Sequence, residues 1–243
     1  MNLIIDIGNT AVKYVLFEQD EILSQQVNHC DDMLALSQFA ATEGLGKAIV
    51  MSTGKVPTAF ANAINALPCK PIWFNSETAV PIQNLYQTPH TLGPDRLAAA
   101  VGANSLFPHQ DTLIIDLGTC ITYDLVDHQG CYLGGNIAPG MSMRFEAMHE
   151  HTAHLPLIRP ENEWPSLIGG NTTEALTGGV MWGILAEIDF YIHKIRAERP
   201  SLKVVLTGGD AQIFHEHIDL DGIVMDKNIA HRGLNIILNQ NEI

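Results

Sequence analysis

The sequence predicts an α/β fold made of two similar halves, because two kinds of segment occur twice. Residues 3–17 and 113–127 each read as an apolar strand, an Asp-x-Gly-polar turn and a second strand. Residues 48–54 and 204–209 each read as an apolar strand that stops at Thr-Gly. Strands alternate with stretches of helical periodicity, which is typical of mixed sheets flanked by helices. Repetition of this kind indicates an internal duplication.

The individual elements are predicted from the period of their apolar residues. Strands are expected near residues 2–5, 11–17, 47–52, 70–74, 112–116, 120–126, 131–137, 203–207 and 222–225. Helices are expected near residues 32–43, 57–66, 94–106, 140–149, 172–197 and 229–239. In the longest helix, apolar residues recur at helical spacing, at Leu176, Val180, Ile184, Ile188 and Ile192. Placing the boundary between the two repeats gives an N-terminal domain at 1–109 and a C-terminal domain at 110–243.

The charge and hydropathy of the chain exclude some classes of binding partner. The 243-residue chain carries a formal net charge of −14, and its 13 Lys and Arg residues form no basic stripe. We therefore expect it to bind neither nucleic acid nor an anionic membrane. No apolar run approaches the roughly 20 residues that span a bilayer, and the N-terminus reaches Asp6 without the basic and apolar regions of a signal peptide. A cytoplasmic protein is expected.

The first Asp-x-Gly turn has the composition of a phosphate-binding loop. Gly8 lets the backbone come close to a ligand, and successive N–H groups can hold phosphate oxygens. Asn9 and Thr10 add polar groups at the same level, and Lys13 can neutralise phosphate charge. The alternative is an ordinary hairpin in which Asp6 and Gly8 serve turn geometry. A second turn in a matching context, about 110 residues later, favours the phosphate interpretation.

The second turn contains Asp116, Gly118 and Thr119. A carboxylate that faces a phosphate at about 4 Å is repelled by about 4 kcal/mol at an effective dielectric constant near 20. Asp6 and Asp116 therefore fit beside phosphates only if a cation lies between them. Mg²⁺ is the usual partner of a nucleoside triphosphate, so the two acids predict an ATP site that uses Mg²⁺.

A third glycine-rich segment ends the predicted strand at 203–207. Gly208 and Gly209 leave room for an adenine ring or a ribose against the backbone. The alternative is a strand-to-helix turn in which Asp210 caps the helix. Other nucleotide folds lack their signatures: Ala48 follows Gly46-Lys47 where a P-loop needs Ser or Thr, and no Gly-x-Gly-x-x-Gly follows a strand.

The segment Gly93-Pro94-Asp95-Arg96 opens the predicted helix at 94–106. Proline suits the first turn of a helix, and an acid suits its positive end. The same residues offer a base and an anion clamp: Asp95 could accept the proton of a substrate hydroxyl, and Arg96 could bind a substrate carboxylate. Chemistry alone leaves the structural and the catalytic interpretations open.

The histidines at 149, 151 and 154 are close together in sequence. They do not form H-E-x-x-H, because Ala153 stands where the second histidine of that motif should be. A zinc site needs three or four converging ligands. A solvated or interface loop is the preferred interpretation.

The motifs in this order resemble those of the type III pantothenate kinases, and the similarity runs nearly end to end. The matching segments are 6–10, 93–96, 116–119, 134–140, 152–156, 170–175 and 207–210. The resemblance implies two RNase H-like halves, as in the superfamily of acetate and sugar kinases, heat-shock ATPases and actin. It also implies ATP-dependent phosphorylation of pantothenate, the first step of coenzyme A synthesis, by a homodimer that needs K⁺ or NH₄⁺.

Carried over by position, the resemblance also implies roles for single residues. Residues 6–13 form the first phosphate turn, Asp116 holds the monovalent cation and Thr119 contacts ATP. Asp95 is the proton acceptor and lies within the pantothenate-binding segment Gly93–Arg96. Tyr86 and Thr172 touch pantothenate as well. One departure is Pro94, which stands where many relatives have an aliphatic residue.

Two alternatives remain at this stage. The chain could be a kinase of another small hydroxy acid or sugar, since the fold does not determine the substrate. It could also be a non-catalytic nucleotide-binding regulator, because relatives of the family have been described as accessory factors for transcription. Asp95 beside Arg96 argues against a regulator, which needs no base.

Overall fold

A computed structural model describes residues 1–8, 11–29, 33–159 and 163–241. The chain divides into two compact units. Unit 1 comprises Met1–Pro108, Gly130–Tyr132 and Asn228–Ile243, and unit 2 comprises His109–Gln129 and Leu133–Lys227. The last helix of the chain therefore belongs to the same unit as the first strand.

The described strands and helices follow the predicted order closely. The strands are β1 (Asn2–Ile7), β2 (Val12–Glu18), β3 (Glu21–Asn28), β4 (Lys47–Ser52), β5 (Pro71–Trp73), β6 (Gln83–Asn84), β7 (Thr112–Leu117), β8 (Cys120–Val126), β9 (Cys131–Pro139), β10 (Lys203–Thr207) and β11 (Ile223–Met225). The helices are α1 (Met33–Ala40), α2 (Thr58–Asn65), α3 (Pro94–Leu106), α4 (Met141–Glu150), α5 (Thr172–Glu198), α6 (Ala211–His215) and α7 (Ile229–Gln240), with a 3₁₀ turn at Pro89–Thr91. The sequence did not predict β3, β6, α6 or the 3₁₀ turn.

The sheet of unit 1 has the strand order β3-β2-β1-β4-β5. The hairpin of β1 and β2 is antiparallel and places Asp6 opposite Lys13. Strand β4 runs parallel to β1, with Ser52 opposite Ile7. The polar residues that follow β1 and β4 therefore leave the sheet at the same edge.

Helices α3 and α7 of unit 1 pack with almost no space between their backbones. A Cβ atom on Gly102 would collide with the backbone of Ile229, and one on Gly233 would collide with the backbone of Ala98. Close approach of this kind requires glycine at both positions. The contact fixes the place of α7, which carries buried polar residues towards β1.

The second sheet has six strands in the order β11-β10-β7-β8-β9-β6, and the five strands from β11 to β9 repeat the arrangement of the first sheet. Strands β7 and β8 form an antiparallel hairpin, and β10 runs parallel to β7 with Thr207 opposite Asp116. The two sheets thus share one order of antiparallel and parallel strands, which confirms the predicted α/β fold with two similar halves.

Helix α5 covers the sheet of unit 2. The five residues predicted to repeat along it, from Leu176 to Ile192, are all buried in the core, together with Met181 and Leu185. Among the described residues, α5 is the one helix whose length and apolar composition would suffice to cross a membrane. Its burial on the sheet is what the core helix of a globular unit shows.

Candidate active site

The first predicted phosphate turn lies at the end of the β1–β2 hairpin in unit 1. Gly8 N donates a hydrogen bond of 2.9 Å to Ala11 O, which closes the turn. Asp6 Oδ2 lies 3.8 Å from Lys13 Nζ, so the acid and the predicted phosphate-neutralising cation face each other across the hairpin. Asn9 and Thr10 lie outside the described residues.

A histidine that the sequence did not single out also contacts Asp6. His231 on α7 has a side chain that is only 3% exposed, and its Nε2 lies 3.1 Å from Asp6 Oδ2. The other ring nitrogen, Nδ1, lies 3.1 Å from Oδ1 of Asn228. Sequence reasoning missed this residue because a single histidine in the first turn of a helix carries no motif. Only the packing of α7 brings it to β1.

The segment Gly93–Arg96 forms the start of α3, with Gly93 at the N-cap and Pro94 in the first turn. Asp95 Oδ1 accepts a hydrogen bond of 2.9 Å from the backbone N–H of Arg96. A Cβ on Gly93 would collide with Asp95 Oδ1, so glycine leaves the space that this carboxylate occupies. The structural interpretation of Pro94 and Asp95 is confirmed, and the catalytic interpretation of Asp95 stays a prediction.

Arg96 is only 6% exposed, although it is charged. Its Cζ lies 5.8 Å from the centre of the Tyr86 ring, within the range of a cation–π interaction. The ring of Tyr86 in turn contacts the buried Tyr132 at 6.2 Å between centroids. Unit 1 therefore brings two predicted pantothenate residues together, Tyr86 and Arg96.

The second predicted turn lies at the end of β7 in unit 2. Gly118 N donates to Cys120 O at 3.1 Å, as Gly8 does across the first turn. Gly208, at the end of β10, has φ +95°, and a Cβ there would stand 2.5 Å from both Asp116 Oδ1 and Leu117 O. Glycine at 208 is therefore required by both its conformation and its neighbours. The structure gathers Asp116, Gly118 and Gly208 at one edge of the sheet.

Thr119 and Asp210 lie at the same edge. Gly140 N donates to Thr119 O at 3.0 Å, and Asp210 N donates to Leu117 O at 2.9 Å. Asp210 occupies the N-cap position of α6, as the alternative interpretation predicted, but its side chain makes no capping hydrogen bond. Burial raises the pKa of the Asp210 carboxyl above its usual value. Gly209 would meet no atom within 4 Å if it carried a Cβ.

Thr172 is the first residue of α5 and is exposed. The helix start is tied by its neighbours: Asn171 Oδ1 accepts from Glu174 N at 3.0 Å, and Gly170 N donates to Glu174 Oε2 at 2.7 Å. This arrangement is a variant of the capping box. It leaves the hydroxyl of Thr172 beside the positive end of a 27-residue helix.

No three His, Cys, Asp or Glu residues in the described part of the chain are grouped so that they could hold a metal ion. His149 instead uses Nδ1 in a 2.7 Å contact with Leu155 O, which ties the loop that follows α4. Mg²⁺ bound to a nucleotide needs only one or two carboxylates besides phosphates and water. Asp6 fits that requirement. At the second turn, Asp116 supplies a carboxylate, the type of oxygen ligand that a hard cation prefers, at the end of β7.

Solved structures with similar folds include proteins of several kinds. A Campylobacter jejuni protein assigned to the Baf family of transcriptional activators matches with a TM-score of 0.64, at 22% identity and 98% coverage of both chains. The inorganic polyphosphate/ATP-glucomannokinase of Arthrobacter matches at 0.52, with 15% identity over 99% of this chain and 100% of that one. Component A of (R)-2-hydroxyglutaryl-CoA dehydratase from Acidaminococcus fermentans matches at 0.53, with 12% identity over 98% and 95%. These matches place the fold among the actin-like ATPases and sugar kinases.

Sequence comparison is more specific. Curated type III pantothenate kinases from Bacteroides fragilis and Porphyromonas gingivalis are each 42% identical, over 99% of this chain and 98% of theirs. The one from Christiangramia forsetii is 36% identical over 100% of this chain and 99% of its own. A family model for type III pantothenate kinase matches residues 2–194, which include both turns and the start of α3. The chain belongs to the type III pantothenate kinase family.

Proposed function

We propose that this chain transfers the γ-phosphoryl group of ATP to pantothenate and forms 4′-phosphopantothenate, the first step of coenzyme A biosynthesis. The observation that carries the proposal is the family match over nearly the whole chain, which includes Asp95 and Arg96. The geometry at the start of α3 supports it, because Asp95, Arg96 and Tyr86 supply a base, an anion clamp and an aromatic wall.

The two glycine turns are proposed to hold ATP. Gly8 and Gly118 let the backbone of each turn approach a ligand, and Asn9, Thr10 and Thr119 add donors for phosphate oxygens. Lys13 adds a positive charge beside the first turn. Gly208 and Gly209 are proposed to lie against the adenosine, and the open space beside Gly209 supports this. Mg²⁺ held through Asp6 would neutralise the charge that develops on the phosphates.

The chemical step assigns distinct roles to neighbouring residues. The 4′-hydroxyl oxygen of pantothenate forms a bond to the γ-phosphorus, the bond from that phosphorus to the bridging oxygen of ADP breaks, and Asp95 accepts the hydroxyl proton. Arg96 binds the carboxylate of pantothenate, with the ring of Tyr86 beside its guanidinium. Gly93 and Pro94 belong to the same proposed pantothenate segment, and Thr172, at the start of α5, is proposed to contact pantothenate through its hydroxyl.

A monovalent cation, K⁺ or NH₄⁺, is proposed at Asp116. Asp116 lies at the end of β7, opposite Thr207 at the end of β10, where the second glycine turn begins. A cation there would offset the repulsion between Asp116 and phosphate oxygens, which costs about 4 kcal/mol for each unscreened contact at about 4 Å.

The proposed setting is the cytoplasm, and the proposed assembly is a homodimer that binds neither nucleic acid nor membrane. The net charge of −14 supports the absence of anionic macromolecular partners. For the dimer, the supporting feature is the outer face of α5, where Phe190 is 63% exposed between two hollows of unit 2.

The proposal is tested by incubating the purified chain with ATP, Mg²⁺ and K⁺ and following ADP release with and without pantothenate. Pantothenate-dependent ADP, together with a product heavier by one phosphoryl group in mass spectrometry, is expected. A panel of other hydroxy acids and sugars in the same assay separates the substrates. ADP release with a sugar alone would identify a different kinase, and ATP binding without turnover of any substrate would identify a regulator.

A further inference from the structure

His231 is a buried polar side chain that the proposed mechanism does not use. It lies on α7, 225 residues after Asp6 in sequence, yet its Nε2 lies 3.1 Å from Asp6 Oδ2. An ionised carboxylate can only accept a hydrogen bond, so the proton between the two groups belongs to Nε2. Because a donor to a carboxylate makes a charge-assisted hydrogen bond, this contact is among the strong ones.

The position of His231 is determined by the packing of α7. The Gly102 and Gly233 contacts hold α7 against α3 at backbone distance. At the ring itself, Oδ1 of Asn228 lies 3.1 Å from Nδ1. Because the ring is only 3% exposed and its helix packs on α3 at backbone distance, the imidazole has little freedom to turn.

The consequence for Asp6 is that one of its two oxygens is engaged. Within the part of the chain that the structure describes, the carboxylate contacts the side chains of His231 and Lys13, and both contacts are made by Oδ2. Engagement of Oδ2 fixes the rotation of the carboxylate about its last bond. Oδ1 is then the oxygen through which Asp6 can bind a water molecule of a magnesium shell. Residues that orient a metal-binding carboxylate by a hydrogen bond affect metal affinity strongly.

We propose that His231 is a positioning residue that holds Asp6 in the orientation needed to bind MgATP. The inference rests on the proposed function only in placing nucleotide phosphates at the first turn. It assigns to α7, the last helix of the chain, a role in nucleotide binding as well as in the core of unit 1.

The test compares His231→Leu and His231→Gln by calorimetric binding of MgATP in the absence of pantothenate, and by steady-state kinetics. Leucine fills the space but donates no hydrogen bond, whereas the amide of glutamine can place a donor near the position of Nε2. We expect His231→Leu to weaken MgATP binding by about 10–100-fold, with the KM for pantothenate unchanged. His231→Gln should restore much of the affinity. The matched control is Asn235→Ala on the same helix, which removes a buried polar contact away from Asp6 and should leave MgATP affinity intact.

A double-mutant cycle with Asp6→Asn decides whether His231 acts through Asp6. If it does, adding His231→Leu to Asp6→Asn produces little further loss of MgATP affinity. Additive losses, or MgATP affinity in His231→Leu equal to the wild-type value, would overturn the inference. Equal losses in His231→Leu, His231→Gln and Asn235→Ala, with parallel falls in thermal stability, would also overturn it and show a packing role. A wild-type chain that binds MgATP but does not phosphorylate pantothenate overturns the proposed function alone.

Discussion

At the level of single residues, the start of α3 shows how one segment serves folding and chemistry together. Pro94 and Asp95 suit the first turn of a helix for the usual reasons, a fixed φ angle and a favourable charge. The same turn carries Asp95 and Arg96, the residues that we propose as proton acceptor and as anion clamp. Arg96 is buried beside Tyr86, which gives its guanidinium a defined place at the start of α3.

We expect replacement of Asp95 and replacement of Arg96 to change different kinetic constants. Asp95→Asn should lower kcat by about 10²–10⁴-fold, because it removes the general base, while ATP still binds. Arg96→Lys should mainly raise the KM for pantothenate, since lysine keeps the charge but loses the planar fork and the stacking on Tyr86. Tyr86→Phe is the matched control, because it retains the ring. Steady-state kinetics measures both effects. Equal loss of ATP affinity in the Asp95 and Arg96 variants would show that this segment serves only to start the helix.

At the second turn, the expected result is a requirement for a monovalent cation. Activity with Mg²⁺ and choline should be near zero and should rise saturably with K⁺ or NH₄⁺, because the cation offsets the charge of Asp116. Asp116→Ala should abolish the rise. The control variant Asp20→Ala, which removes an exposed acid from unit 1, should still show the rise in activity with K⁺. Full activity of the wild-type chain in choline would rule out the cation site and leave Asp116 with a role in the turn.

At the level of elements, the sequence predicted every strand and helix whose apolar residues follow a clear period. The elements that it missed have little such pattern. Strand β3 is an edge strand with mostly exposed residues, among them Gln25 and Gln26, so no apolar alternation marks it. Strand β6 has two residues and α6 has five, too few to display a period. The partner of Asp6 was missed for a different reason, since a contact between residues 6 and 231 depends on tertiary packing alone.

The contact between α3 and α7 yields a prediction about glycine. Gly233→Ala should destabilise the protein by about 1–3 kcal/mol, because its methyl group would collide with the backbone of Ala98, which cannot turn away. For a unit of this size that change lowers Tm by several degrees, about 2–4 °C per kcal/mol.

Gly179 on α5 provides the matched control for Gly233. It is exposed, and a Cβ there would meet nothing within 4 Å. Gly179→Ala should therefore stabilise by about 0.5–1 kcal/mol, the ordinary gain of alanine over glycine inside a helix. Thermal unfolding of the two variants side by side gives opposite shifts if the packing argument is correct. A neutral Gly233→Ala would show that α3 and α7 can separate at small cost.

At the level of the whole molecule, the same strand order occurs in both units, and only some of the loops carry function. The two Asp-x-Gly turns occupy equivalent places, after β1 and after β7, beside the parallel strands β4 and β10. A duplication of one ancestral unit therefore explains why the predicted phosphate turn occurs twice. The proposed base at Asp95 and the proposed cation site at Asp116 are features of one half each, so the proposal places the chemical divergence of the two copies there.

The exposed face of α5 bears on the oligomeric state of the protein. Helix α5 is about 40 Å long, enough to supply much of the surface that a stable interface needs. On its outer face Phe190 is 63% exposed and stands between two hollows of about 340 Å³ and 380 Å³. In a twofold contact the same patch of both copies meets, so the projecting ring of one copy can enter a cavity of the other. Asp189 and Lys194 border one of the hollows and offer opposite charges to a second copy.

We therefore expect a dimer of about 53 kDa, twice the 26.6 kDa of the chain, in light scattering at micromolar concentration. Phe190→Asp should shift the mass towards the monomer, because it removes the projecting ring and adds a charge at the centre of the contact. Leu34→Asp is the matched control: Leu34 is 74% exposed on α1 in the other unit, and the same change there should leave the dimer intact. Each copy carries a net charge of −14, so repulsion between copies should make the dimer weaker at low ionic strength. A wild-type mass near 27 kDa would exclude the dimer, and a dimer that persists in Phe190→Asp would exclude α5 as its interface.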